Sequence, residues 1–211
     1  AGVLSVKDMT DKTEWVKSGE DWYLYVDGEL IKENYYEYSG KTYYFDQEGR
    51  METGIFEDKT GKRCMAEPSG AVITNPTKGW NKSSEADIWY YYKSNAEGDL
   101  YPVDNEMLNL QGKKYYIDWN GRMKTGAFYY DGSTYFANTN GEIQEKASWY
   151  IDSKGNWYYV KQDGKVVTDD IYKIENKSYI FDGDGVMQKG TVWYNGKMYL
   201  TDNNGAVIST N

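Results

Sequence analysis

Residues 40 to 54 read GKTYYFDQEGRMETG, and residues 112 to 126 read GKKYYIDWNGRMKTG. Each stretch is an extended aromatic segment, an Asp/Asn/Gly turn and a short second segment ending in glycine, which is the signature of a β-hairpin. An isolated two-stranded hairpin is marginal in water and must bury its aromatic face against a neighbour. Recurrence of such a unit is therefore the first thing to test along the chain.

The unit recurs throughout, with a period of about twenty-one residues. Aligned on the turn glycine, one column reads Tyr23, Tyr43, Cys64, Tyr90, Tyr115, Tyr135, Tyr158, Tyr179, Tyr199. The next reads Leu24, Tyr44, Met65, Tyr91, Tyr116, Phe136, Tyr159, Ile180, Leu200 and is apolar throughout. A column filled in every unit is what stacking of repeats demands, so the tyrosines read as scaffold, with Tyr115 and Tyr158 expected to be buried between units.

A longer period sits above the first. Tryptophan precedes the tyrosine column at Trp22, Trp89 and Trp157, once in every three units, and a second tryptophan leads each of these at Trp15, Trp80 and Trp149. Met51, Met123 and Met187 recur in the second unit of each group. The pattern predicts an all-β fold, an elongated solenoid of stacked β-hairpins with about nine units in three triplets. Residues 1–13 read as a lead-in and 14–211 as a single repeat domain, with triplets near 14–79, 80–148 and 149–211. Two stretches, 66–79 and 93–106, break the rhythm and read as irregular excursions, since the repeat resumes in phase after each.

Composition narrows the chemistry. The chain has 211 residues, a formal charge of −9, no histidine and one cysteine. Scattered Lys and Arg within an acidic whole exclude the basic footprint of nucleic-acid binding. Without histidine the commonest general base and zinc ligand are missing, and one cysteine cannot form an intramolecular disulfide. Cys64 reads as a small apolar filler in the tyrosine column, with no histidine to activate it as a nucleophile. DGDG at 182–185 faintly suggests a calcium loop, but it lacks the distal glutamate, and Asp and Gly are what hairpin turns need. Some carboxylate pair falls at glycosidase spacing by chance among 33 acidic residues, yet short hairpins offer grooves rather than a deep pocket. The expectation is a non-enzyme with no cofactor and no metal. No apolar run approaches the ~20 residues of a membrane span and no leader opens the chain. An opening Ala1 in place of Met reads as a processed product or an excised domain.

The tryptophans and the hairpin motif together, W-x6–8-W-Y followed by G-x-x-Y-Y-F-D-x-x-G-x-M-x-T-G, resemble the cell-wall-binding or choline-binding repeats of Gram-positive surface proteins. They are also similar to the repeats of glucan-binding domains and clostridial toxin tails. The resemblance spans nearly everything after about residue 14. It implies cages for a trimethylammonium group made from Trp15 with Trp22, Trp80 with Trp89, and Trp149 with Trp157, with third walls at Tyr36, Met107 and Tyr172. Ile55, Ala127 and Thr191 stand where the family motif would place tryptophan after glycine, so at most three such sites are implied. The six tryptophans read either as wedges between triplets or as wedges that also bound a groove for a quaternary ammonium group or a sugar face. The function implied is non-catalytic attachment of a secreted or surface protein to a choline-bearing cell-wall polymer or an extracellular polysaccharide. The alternative is an adhesin-like or toxin-like arm that binds a host glycan or protein. Both place the chain outside the cell.

Overall fold

The structure, a computed structural model, describes residues 12–210. Most of the expected lead-in lies outside that range, and the first strand opens at Thr13. The fold is all-β: among the described residues there are nine antiparallel sheets, each of two or three short strands and almost all made from consecutive segments of chain. No helix is long and apolar enough to cross a membrane among those residues.

Two kinds of turn explain why these sequences close into hairpins. Within a hairpin, Asp27–Gly28, Ser39–Gly40, Gln111–Gly112, Asp131–Gly132 and Asn195–Gly196 all have positive φ at both positions. That is the two-residue turn whose twist matches the strands, and it favours glycine second. After a hairpin, an Asp or Asn side chain folds back on its own turn. Asp46 Oδ1 accepts from the N–H groups of Glu48 at 3.0 Å and Arg50 at 2.7 Å. Asp182 Oδ1 does the same with Asp184 at 3.0 Å and Val186 at 2.8 Å, so the DGDG carboxylate serves the backbone of its turn.

Successive hairpins are joined by backbone bonds. Met51 N–H donates to Trp22 O at 2.8 Å, Val72 to Thr42 at 2.7 Å, and, farther along, Ile143 to Lys114, Val166 to Thr134 and Met187 to Trp157, each at 2.8 Å. The residue after each turn thus reaches the preceding hairpin just before its tyrosine column. This link gives a stack whose members touch mainly their neighbours.

By internal contacts the chain forms two compact units, residues 1–106 with 117–122, and residues 107–116 with 123–211. In both, the core departs from the expected column. Tyr90 and Tyr158 are buried, but Tyr23, Tyr43, Tyr115, Tyr135 and Tyr179 are only half-buried. The buried scaffold is the following column, at Leu24, Tyr44, Met65, Tyr116, Phe136 and Ile180, together with Phe45, Ala66, Tyr92, Ile117, Ala137, Val160 and Phe181. Tyr44 stacks on Phe56 at 5.0 Å, and Tyr116 on Phe128 at 5.0 Å. Side chains alternate across a strand, so a column cannot be buried on both sides of its hairpin. Apart from Tyr90 and Tyr158, the tyrosine column lies at the margin of the core, with its rings partly exposed.

Cys64 is likewise half-buried, with Sγ 3.4 Å from the Tyr35 hydroxyl. The irregular stretch after Ala66 is held down by a buried carboxylate. Glu67 accepts from Ser83 Oγ at 2.7 Å, Tyr90 Oη at 2.9 Å and Ser84 N–H at 3.0 Å. Burying a carboxylate is tolerable only with such pairing, which ties the excursion to the hairpin that follows it.

Candidate functional site

Trp15 lies on the strand Thr13–Ser18 opposite Leu24, and Trp22 faces Lys17 at the turn end of the same hairpin. The two indoles approach at 6.4 Å between centroids, with planes at 78°. Tyr43, from the next hairpin, meets Trp15 at 5.1 Å and 70°, and Tyr38 meets it at 5.8 Å and 73°. Met51 is brought to the same place by its bond to Trp22 O. The result is a cavity of about 300 Å³ bordered by Trp15, Trp22, Tyr43, Met51 and Ser69. Gly70 lies behind Met51 with φ +86°, and a Cβ there would come within 2.3 Å of Met51 Sδ, so the methionine occupies the space a larger residue would take.

The third tryptophan pair repeats this geometry. Trp149 and Trp157 meet at 6.5 Å and 79°, and Tyr179 meets Trp149 at 4.8 Å and 73°. Tyr159 and Phe181 complete the surround at 5.3 Å and 5.8 Å. Met187 is bonded to Trp157 O as Met51 is to Trp22 O, and Gly205 stands behind it, where a Cβ would come within 2.7 Å of the thioether. In both places the inner tryptophan is half-buried and the outer one stands at the surface, with Trp22 39% and Trp157 37% exposed.

In the second pair, Trp80 lies opposite Tyr91 with rings at 5.0 Å and 77°, and Trp89 lies opposite Lys82. Both belong to the first compact unit. Met107 belongs to the second, where it packs on the buried cluster of Tyr116, Phe128, Ala137 and Ile143.

The structure brings together both members of the first and third tryptophan pairs. Tyr43 and Tyr179 meet the indoles, whereas Tyr36 and Tyr172 are their cross-strand neighbours. Tyr172 does pack on the cluster of Val167, Phe181 and Met187 that Trp149 and Tyr179 also join. The missed signal was visible: methionine recurs in the second unit of each triplet, the unit that also supplies Tyr43 or Tyr179.

Charge around the sites is mixed. Lys17 Nζ lies 5.8 Å from the centroid of Trp22, and Lys82 Nζ 5.8 Å from that of Trp89, so these indoles already attract a cation. Ser69, on the first cavity, donates to Glu85 at 2.6 Å, and Lys41 donates to the same carboxylate at 2.6 Å. Burial pushes the Glu85 carboxyl up, but the bonds from Lys41 and Ser69 outweigh it and hold the group below its ordinary value. Glu85 therefore stays anionic at neutral pH, one residue from the cavity edge.

No family model matches the chain. Its sequence is 26% identical to glucosyltransferase-I of Streptococcus downei over 254 aligned residues, covering 94% of this chain and 16% of that protein. It is 32% identical to glucosyltransferase-S of Streptococcus mutans serotype c over 166 aligned residues, 76% of this chain and 11% of that protein. The chain thus spans a small part of the length of these relatives. Among solved structures, choline binding protein F from Streptococcus pneumoniae is 21% identical, with 93% of each chain covered and a TM-score of 0.45. The chain is therefore similar in sequence to a part of these two glucosyltransferases.

Proposed function

We propose that the chain is a non-catalytic attachment module, acting outside the cell, that holds quaternary ammonium groups such as choline on a cell-wall polymer. The observation that carries this reading is the angle between the walls. At the first site Trp15 meets Trp22 at 78° and Tyr43 at 70°, and at the third the corresponding angles are 79° and 73°. A sugar ring stacks on one flat face. A tetrahedral trimethylammonium group presents methyls in several directions and matches walls set near right angles, each contributing about 0.5–2 kcal/mol through cation–π attraction. The apolar thioether of Met51 or Met187 suits the same group, which needs no hydrogen bond.

A site of this kind binds weakly, near ~1 mM or about −4 kcal/mol. Three tryptophan pairs on one chain offset that weakness when a polymer carries many ligands, since linkage raises avidity by ~10²–10⁴ where the spacing permits. The similarity to glucosyltransferases over a small part of their length supports a second reading, attachment to an extracellular polysaccharide by the same aromatic surfaces. A recognition arm for a host glycan or protein would use those surfaces as well.

Choline titration with tryptophan fluorescence as the readout tests the proposal. Saturable change at millimolar choline is expected, together with retention on an amine resin that choline elutes. Trp22→Ala, Trp89→Ala and Trp157→Ala should each weaken retention. If no change occurs at tens of millimolar while a glucan oligosaccharide does perturb fluorescence, the polysaccharide reading replaces this one.

A further inference from the structure

The dipeptide Asn–Gly occurs four times, at 120–121, 140–141, 195–196 and 204–205. Each of these asparagines is exposed, and each of the glycines has positive φ. Glycine has no Cβ to shield its own nitrogen, so in this pair a backbone nitrogen can reach the side-chain amide that precedes it. By sequence the four pairs are alike. Their surroundings are not.

Three of the glycines are fixed in place. Gly121 N–H donates to Asp118 O, Gly141 N–H to Asn138 O and Gly205 N–H to Asp202 O, each at 2.9 Å. All three are buried. A Cβ on Gly121 would run into Met65, one on Gly141 into Met123 and one on Gly205 into Met187, so each glycine is packed against a methionine side chain.

The fourth pair differs in every one of these respects. Asn195 and Gly196 form the two-residue turn between the strands Thr191–Tyr194 and Lys197–Thr201, with φ of 46° and 76°. In such a turn the hairpin is closed by bonds between the flanking residues, here Tyr194 and Lys197, and the central N–H groups stay outside the ladder. Gly196 is exposed, its N–H makes no hydrogen bond among the described residues, and a Cβ on it would meet nothing within 4 Å.

These differences bear on one reaction. Hydroxide takes the proton from the Gly196 backbone nitrogen, which adds to Cγ of Asn195. The new C–N bond displaces the side-chain nitrogen, which leaves as ammonia with a proton from water. Water then opens the five-membered succinimide at either carbonyl and leaves aspartate or isoaspartate. Ring closure needs a backbone nitrogen that is not engaged in a hydrogen bond, and it needs the Asn–Gly peptide to swing, which carries the glycine Cα with it. At Gly121, Gly141 and Gly205 that movement breaks a turn bond and drives the chain against a packed methionine, so it waits on local opening of the fold. At Gly196 it goes into solvent. We infer that Asn195 is a self-modification site, the place where the folded chain deamidates first, while the fold protects Asn120, Asn140 and Asn204. The product carries a new carboxylate at the tip of this hairpin and, as isoaspartate, one more carbon in the backbone of the turn. This does not rest on the reading of the aromatic corners.

Ageing of the full chain at mildly alkaline pH tests the inference, with peptide mapping by mass spectrometry and enzymatic methylation of isoaspartate as the readouts. Conversion at Asn195 should be at least about tenfold faster than at Asn120, Asn140 or Asn204, each of which must first give up a turn hydrogen bond. In guanidinium chloride the four should convert at comparable rates, because the protection belongs to the fold. Conversion of any of the other three as fast as Asn195 in the folded chain would overturn the inference. So would the same order and spread of rates with and without denaturant, or an Asn195 that stays intact in the folded chain while the unfolded chain converts.

Discussion

The third wall of the aromatic corner distinguishes the observed geometry from the one expected on sequence grounds. Tyr179 and Tyr172 are cross-strand partners on one hairpin, both half-buried, but Tyr179 is the ring that meets Trp149, at 4.8 Å and 73°. Tyr172 instead contacts Tyr159 at 5.9 Å. In a background carrying Trp22→Ala and Trp89→Ala, which leaves the third pair as reporter, Tyr179→Leu removes one ring and keeps an apolar side chain. One cation–π wall contributes about 0.5–2 kcal/mol, which converts to a loss of roughly 2- to 30-fold in choline affinity. Tyr172→Leu should shift the affinity by less than about twofold, because it removes no wall. Both variants lose a similar half-buried ring, so their melting temperatures should fall by similar amounts and serve as the internal control. Choline titration by tryptophan fluorescence, with thermal melts alongside, reads both quantities. A larger affinity loss in Tyr172→Leu than in Tyr179→Leu would refute the assignment of Tyr179 as the wall.

Two further outcomes follow from the core and from its ionisable groups. Phe136 is buried against Tyr150 at 5.5 Å and Tyr158 at 5.2 Å, so Phe136→Ala should destabilise by about 3–5 kcal/mol. Its half-buried neighbour Tyr135 should lose clearly less on replacement by alanine, and equal losses in urea titrations would show that the tyrosine column is the scaffold after all. With no histidine, thermal stability should change little through the neutral range and then fall under alkali. Burial, reinforced by the bond to Asp152, pushes Tyr158 up to about 12, and burial raises Tyr35, Tyr90 and Tyr92 farther. These raised values favour the folded state while the phenols are neutral. Their contribution is therefore complete below the ordinary tyrosine value of about 10 and is lost as pH rises through the folded values. Melting temperature and tyrosinate absorbance should change together above that point, and full ionisation of a still-folded chain would count against the burial described.

The hairpins were legible because their determinants are local. A turn of the form Ser39–Gly40 or Asp131–Gly132 sets strand pairing by backbone conformation alone, and the Asx turn after each hairpin does the same for its exit. Both tryptophans of the first and third pairs were legible for the same reason, since each pair sits on one hairpin. What could not be read was anything that depends on how one hairpin lies against the next. Periodicity marks a column as constrained but not which of two adjacent columns is deeper. Hence Tyr43 and Tyr179 read as scaffold when their half-buried rings lie against Trp15 and Trp149, while Tyr44 and Ile180 carry the burial.

The tryptophan pairs, alike in the repeat, are not chemically equivalent. The outer indole is opposed across its hairpin by Lys17 at the first pair and Lys82 at the second, and both ammonium groups lie 5.8 Å from the ring centroid. At the third pair the opposing residue is Ile151. A resident cation draws on the same ring quadrupole that a ligand cation would use, and two like charges near one ring repel. A quaternary ammonium ligand at Trp22 or Trp89 must therefore share or displace the lysine, whereas at Trp157 it meets an apolar neighbour. The lysines sit on flexible stems and are strongly hydrated, so displacement is a modest penalty rather than a block, and it falls on the first two pairs alone. Under the proposed function, a period that repeats the aromatic residues while varying the residue across from them therefore predicts ammonium sites of graded strength, with the third pair the strongest.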